Sequence, residues 1–283
     1  MKNAIVYTFV FLAIQVMAGF IVDGVWRWAF GKGAMDDATG IIVTTMVFTV
    51  ISVAVFLLAK WCEVSRHWIL KRPWVMLFWC AVAAIGAIIP SVWIQEHMPE
   101  LPNIAENTFD IIMRDRWGYV AVGLLAPFAE ELVFRGAILK SLLQWCSKPW
   151  AAIAISALLF AAAHMNPAQL PHAFVIGLLL GWLYYRTDSI IPGMVYHWVN
   201  NSVAYVMYNL YPNADLKLTD LFGSERMALM AVGFSLCIFL PALFQLNLRL
   251  KKEREMRVIR PPLAPPTQEG KKRSGLRPPG CSP

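Results

Sequence analysis

Two adjacent carboxylates and a guanidinium, Glu130, Glu131 and Arg135, lie inside an apolar run at 117–139 that otherwise reads as a membrane span. A charged side chain at the bilayer centre costs roughly 2.5–3.5 kcal/mol on insertion scales, so three so close together need a reason. On a helix, Glu131 and Arg135 are four apart and share a face, where they can pair. Glu130 is turned about 100° from Glu131. The arginine can therefore hold one carboxylate ionised while the other points elsewhere. Carboxylates with unequal partners titrate apart, which is how acid and base groups are made.

Two more polar pairs sit in apolar runs at the same four-residue spacing: Phe160 with His164, and His197 with Asn201. Helix rise gives their depth. Counted from the ends that carry basic loops, Glu130 is roughly 14 Å deep, His164 roughly 21 Å, and His197 and Asn201 roughly 11 and 17 Å. All fall in one layer of a hydrocarbon core about 30 Å thick.

Taken singly, each has a structural reading. Glu131–Arg135 can be an ion pair within a bundle, a lone histidine a satisfied packing residue, and Asn201 interhelical glue. Gly177 and Gly181 are read as packing, and His67 and His172, near span ends, carry little signal. The common depth is what raises the first three sets above these readings. Together they supply the parts of peptide hydrolysis: a carboxylate to take a proton from water, and groups to polarise a carbonyl. The same donors, Glu130, His164 and His197, could hold a divalent metal such as zinc. A proton-coupled transporter or a non-proteolytic scaffold would also bury such groups.

The elements that must position these residues are membrane helices. The chain has 283 residues, 58% hydrophobic and 15% charged, which fits an all-α polytopic bundle rather than a globular enzyme. Eight spans are expected: 4–22, 41–59, 74–94, 117–139, 150–165, 171–185, 190–211 and about 227–247. Part of 95–116 reads as an interfacial helix. Four regions follow: an N-terminal membrane region at 1–114, a core at 115–212, a last span within 213–248, and a basic, proline-rich tail at 249–283 expected to be disordered.

That tail holds ten Lys/Arg and three Asp/Glu, so it accounts for the whole net charge of +7. The excess is therefore no argument for a nucleic-acid partner. The bilayer is the expected partner, with anionic lipid a candidate for the tail. The basic loops at 60–72 and 140–148 alternate with acidic ones at 95–110 and 212–225. By the positive-inside rule both termini are then cytoplasmic, in what reads as a bacterial inner membrane. The five cysteines have no metal-site spacing, and no P-loop, GxGxxG or HExxH pattern occurs.

Glu130-Glu131-x-x-x-Arg135, then Phe160-x-x-x-His164, then His197-x-x-x-Asn201 resemble the three motifs of the CAAX protease and bacteriocin-processing enzyme (CPBP/Abi) family, which includes the type II CAAX prenyl endopeptidases. Phe134-Arg135-Gly136 and the Gly177-to-Tyr184 segment match the family's context. The likeness spans about 115–212. It implies an intramembrane endopeptidase acting on a membrane-embedded or lipidated peptide or protein. In that family's terms Glu130 activates water with help from His164. His197 and Asn201 stabilise the oxyanion, and Glu131 and Arg135 orient the site. A metal-free glutamate mechanism is favoured over a metallopeptidase, with a substrate-binding pseudoprotease as a further alternative.

Overall fold

The computed structural model describes residues 1–64, 73–211 and 216–259, the last nine as backbone alone. Basic-loop residues from 65 onward, the start of the acidic loop at 212, and the tail from 260 lie outside the described residues. Within them the chain is helical and has no strand.

Its helices are α1 (Lys2–Phe30), α2 (Ala38–Leu58), α3 (Trp74–Glu96) and the short α4 (Glu106–Arg114). A continuous helix over 116–145, α5, follows. After it come α6 (Pro149–Ala163), α7 (Leu170–Thr187), α8 (Ile191–Leu210), α9 (Leu218–Phe222) and α10 (Glu225–Ile259). Each expected span has a helix. Among the described residues, four stretches are long and apolar enough to cross a membrane by length and composition: α1, α2, α3 and Glu225–Leu250 of α10. Their outward faces carry large apolar side chains, among them Phe9, Phe20, Phe78, Phe234 and Phe244, as a lipid-facing bundle requires. The short α4 lies in the stretch read as interfacial and buries Ile112 and Met113 on one side.

Helices α1, α6 and α10 differ from expectation; α10 runs on to Ile259, so the first residues of the tail expected to be disordered, 249–259, are helical instead. α1 continues to Phe30, well past residue 22. Asp23 and Arg27 sit on it as an i,i+4 pair at 2.8 Å, so their charge is accommodated within the helix. Gly31, at φ 71, then ends it. α6 is shorter than its expected span, closing at Ala163 with His164 as its C-terminal cap. Met165 takes the left-handed conformation, φ 49, and turns the chain back.

α5 lies at the centre, packed against α1, α2, α6, α7 and α8. Small residues allow this: Ala121, Gly123, Ala129, Gly136 and Ala137 are buried on it, and such residues let helices approach closely in lipid. α6 and α7 form a hairpin, α1 and α2 a second, and α3 pairs with α10 while also contacting α8.

α5 is not uniform. Tyr119–Leu125 and Leu132–Leu139 are π-helical, and the α-helical turns between them, Ala126–Glu131, carry the acidic pair. The first widening has a cause in the sequence. Pro127 has no N–H, and in a regular helix its ring would strike the carbonyl four residues back. Ala126 instead donates five residues back, to Ala121.

Candidate active site

Glu131 is fully buried, its side chain 0% exposed, and Arg135 of the next turn donates Nη1–H to its Oε1 at 2.7 Å. The other terminal nitrogen and the face of the guanidinium are engaged as well. Nη2 donates to the Gly177 carbonyl at 3.2 Å, and the Phe160 ring lies 4.4 Å from its centre, a cation–π contact. α5, α6 and α7 are thus joined at one cation. Among the described residues, Glu131 Oε2 takes no hydrogen bond. It faces Gly193 in the first turn of α8, where an added Cβ would stand 2.6 Å from it. Only glycine leaves room there, and the positive end of the α8 dipole faces the carboxylate.

Glu130 is placed differently. Its side chain is 20% exposed, and its Oε2 lies 3.7 Å from Nε2 of His197. The other nitrogen of His197, Nδ1, lies 3.2 Å from Glu131 Oε1. Toward a carboxylate Nδ1 must be the donor. One imidazole therefore joins the two carboxylates, and its Nε2 is turned to the open one. A neutral His197 presents a lone pair there, and an imidazolium presents an N–H.

His164 donates Nδ1–H to the Phe160 carbonyl at 2.9 Å, which in the neutral ring leaves Nε2 as an acceptor. The Phe160 ring meets His164 edge-on at 4.9 Å and His197 at 5.9 Å. It thereby spaces the two imidazoles and packs on Phe134 of α5. The motif residues do come together, in helices far apart in the chain.

Asn201, one turn beyond His197, donates Nδ2–H to the Val122 carbonyl at 2.9 Å and accepts from Asn200 at 3.4 Å. The same face of α8 carries on. Ser202 and Trp198 bond Tyr119; Tyr205 donates to the Asp115 carbonyl, Tyr208 to the Asp110 carboxylate and Asn209 to the Met113 carbonyl. This ladder fixes the α8 histidine and asparagine against α5.

Three features escaped the sequence reading. His172 of α7 accepts from Gln95 of α3 at 3.2 Å. No spacing links residues 95 and 172, so only the fold reveals it. Gly193 follows Pro192 at the start of α8, a pattern that reads merely as a helix start. Asn166 is buried, accepting from the Ile104 N–H at 3.2 Å and donating to Asn103 at 2.8 Å. The 101–105 connection is thereby fastened over the turn that follows His164.

For a metal, the donors expected from sequence are Glu130, His164 and His197. Among the described residues no group of three His, Cys, Asp or Glu side chains is arranged to hold an ion. Nδ1 of each histidine donates to an oxygen, so Nε2 is the nitrogen that each could offer an ion, as metal-bound histidines do.

Residues 113–203 match the family described as type II CAAX prenyl endopeptidase Rce1-like. The matched stretch contains α5 to α8 up to Val203, and with them all three motifs. The chain is also similar to UPF0177 protein YxdF of Lactococcus lactis subsp. lactis (strain IL1403). The two are 25% identical over 187 residues, 63% of this chain and 96% of the relative. No solved structure matches the chain.

Proposed function

From that kinship with CAAX-type membrane proteases, we propose that this chain is an intramembrane endopeptidase of the glutamate type. The observation that carries the proposal is the division of labour between adjacent carboxylates. Glu131 is sealed and neutralised by Arg135, while Glu130 stays partly open and faces His197. A base needs access to water, and a structural anion needs none.

In this reading Glu130 takes a proton from a water molecule as its oxygen adds to the scissile carbonyl, with His164 Nε2 accepting the water's other hydrogen bond. The oxyanion is met by His197 as an imidazolium, whose Nε2–H points into the same space. Its Nδ1–H rests on the Glu131 carboxylate. The amide hydrogen of Asn201 not engaged by Val122 is available beside it. Collapse of the tetrahedral intermediate breaks the C–N bond, and the proton held by Glu130 passes to the leaving amine. Water and peptide give one carboxylic acid and one amine, and Glu130 is regenerated. No step is routed through a metal.

The core at 115–212 would carry the chemistry, with 1–114 and 213–248 flanking it in the bilayer. The substrate class is a membrane-associated peptide or protein, with prenylated C-terminal peptides first among candidates. A plasma-membrane location with cytoplasmic termini follows from the loop charges.

The test is cleavage by purified protein in lipid of a peptide library that includes farnesylated C-terminal peptides. Wild type, Glu130→Gln and His197→Ala would be run with and without chelator. Activity lost in both variants and indifferent to chelator is expected. A fully active Glu130→Gln protein sinks the assignment, and activity abolished by chelator and restored by Zn²⁺ sinks the metal-free mechanism.

A further inference from the structure

Proline within a membrane helix leaves a carbonyl without its donor, and in lipid that group must find another. The chain solves this twice in the same way. In α3, Pro90 lacks the N–H that would serve the Gly86 carbonyl, and Ser235 of α10 donates Oγ–H to it at 3.1 Å. In α5, Ala126 donates to Ala121, five residues back. In that register the next donor, for Val122, would be residue 127. Residue 127 is Pro127, and Asn201 donates to Val122 instead, at 2.9 Å.

The first device joins two helices away from the site. The second straddles it. Pro127 lies three positions before Glu130, so the widened turn sets the rotation at which Glu130 leaves the helix. α8 therefore holds α5 on both sides of Pro127, through Asn201 at Val122 and through His197 at the carboxylates.

We infer that Asn201 is a positioning residue for Glu130, acting through its bond to the carbonyl that Pro127 leaves unserved. This rests on the endopeptidase reading and adds to it. One amide hydrogen of Asn201 fixes the geometry of α5, whatever the other does for the substrate. Losing the tether lets the turn 122–126 relax and moves Glu130 relative to His197 Nε2. A displacement of this kind near 1 Å can cost about 100-fold in rate. It also changes the surroundings in which Glu130 titrates.

The test is a cycle of Asn201→Ala, Pro127→Ala and the double variant, with Asn201→Asp as a near-isosteric variant lacking the donor. Full-length protein in lipid is assayed on a farnesylated C-terminal peptide for kcat and KM across pH, and by backbone amide exchange over 119–131. Ser235→Ala and Pro90→Ala/Ser235→Ala serve as the structural comparison.

Asn201→Ala is expected to lower kcat more than it raises KM, to move the acidic limb of the pH profile, and to speed exchange at 122–126. In the Pro127→Ala background, where residue 127 regains an N–H, removing Asn201 should cost only what its other amide hydrogen does for the substrate, and leave the limb in place. Ser235→Ala should weaken the fold without moving the limb. Equal losses from Asn201→Ala in both backgrounds, with an unmoved limb, would overturn the inference. If wild type cleaves no peptide, the endopeptidase reading is what fails. The tether is then decided by exchange alone: acceleration confined to the Pro127 background supports it, and equal acceleration in both refutes it.

Discussion

Arg135 has three attachments: the Glu131 carboxylate, the Gly177 carbonyl and the Phe160 ring. Removing one partner of a buried ion pair leaves an uncompensated charge and costs about 3–5 kcal/mol. Arg135→Met should therefore lower the thermal stability of detergent-solubilised protein strongly. Glu131→Gln/Arg135→Met should recover most of that loss, because neither charge then remains. Activity should not return with stability, since His197 loses the anion that orients its Nδ1–H. Thermal unfolding and peptide cleavage on the same samples check this, and a double variant as unstable as Arg135→Met alone would contradict it. The pairing itself was legible in the sequence, because i,i+4 geometry is local. Gly193 beneath Glu131 Oε2, and His172 on Gln95, were not, because each depends on how separate helices dock.

Helices α6 and α7 meet across Gly177 and Gly181, which the sequence marks as one small-residue motif but the structure distinguishes. A Cβ on Gly181 would meet Ile153 Cγ2 at 2.9 Å, with only side-chain atoms among its nearest neighbours. A Cβ on Gly177 would meet Ala157 at both Cβ, 2.9 Å, and Cα, 3.0 Å, so the helices themselves must part. Parting them draws the Gly177 carbonyl away from Arg135 Nη2. Gly177→Ala is expected to cost about 1–3 kcal/mol, as overpacking does, and to depress cleavage. Gly181→Ala should cost clearly less and leave cleavage near wild type. Equal effects on melting and rate would show that the motif is uniform packing. Hydropathy located all these helices but could not see register inside them. The run at 117–139 scores as one span, whereas Pro127 imposes a π segment just ahead of the acidic pair. Likewise α6 ends at His164 because Met165 turns the backbone, and apolar composition carries no sign of that.

Across the whole molecule, the connections gather at two ends. At one end Pro102, Asn103 and Ile104 bond the 166–168 turn, the Leu218 N–H donates to Glu96 at 2.7 Å, and Asn209 and Tyr205 reach Met113 and Asp115. At the other, Cys62 packs against Gly136. Among the described residues this is the parity that the eight expected crossings would produce. Parity does not by itself say which end faces the cytoplasm; the proposed orientation rests on charge. Basic segments tend to be retained on the cytoplasmic side, so that proposal puts the Lys140–Lys148 end inward and the Glu96–Glu106 end outward. A cysteine at Lys148 should therefore react with a membrane-impermeant thiol reagent only in inside-out vesicles, and one at Glu100 only in intact spheroplasts, each in a background without the native cysteines. The opposite pattern would reverse the orientation and keep the fold. Labelling of both from one face would break the parity, and with it the arrangement that brings α8 alongside α5 and His197 to the two carboxylates.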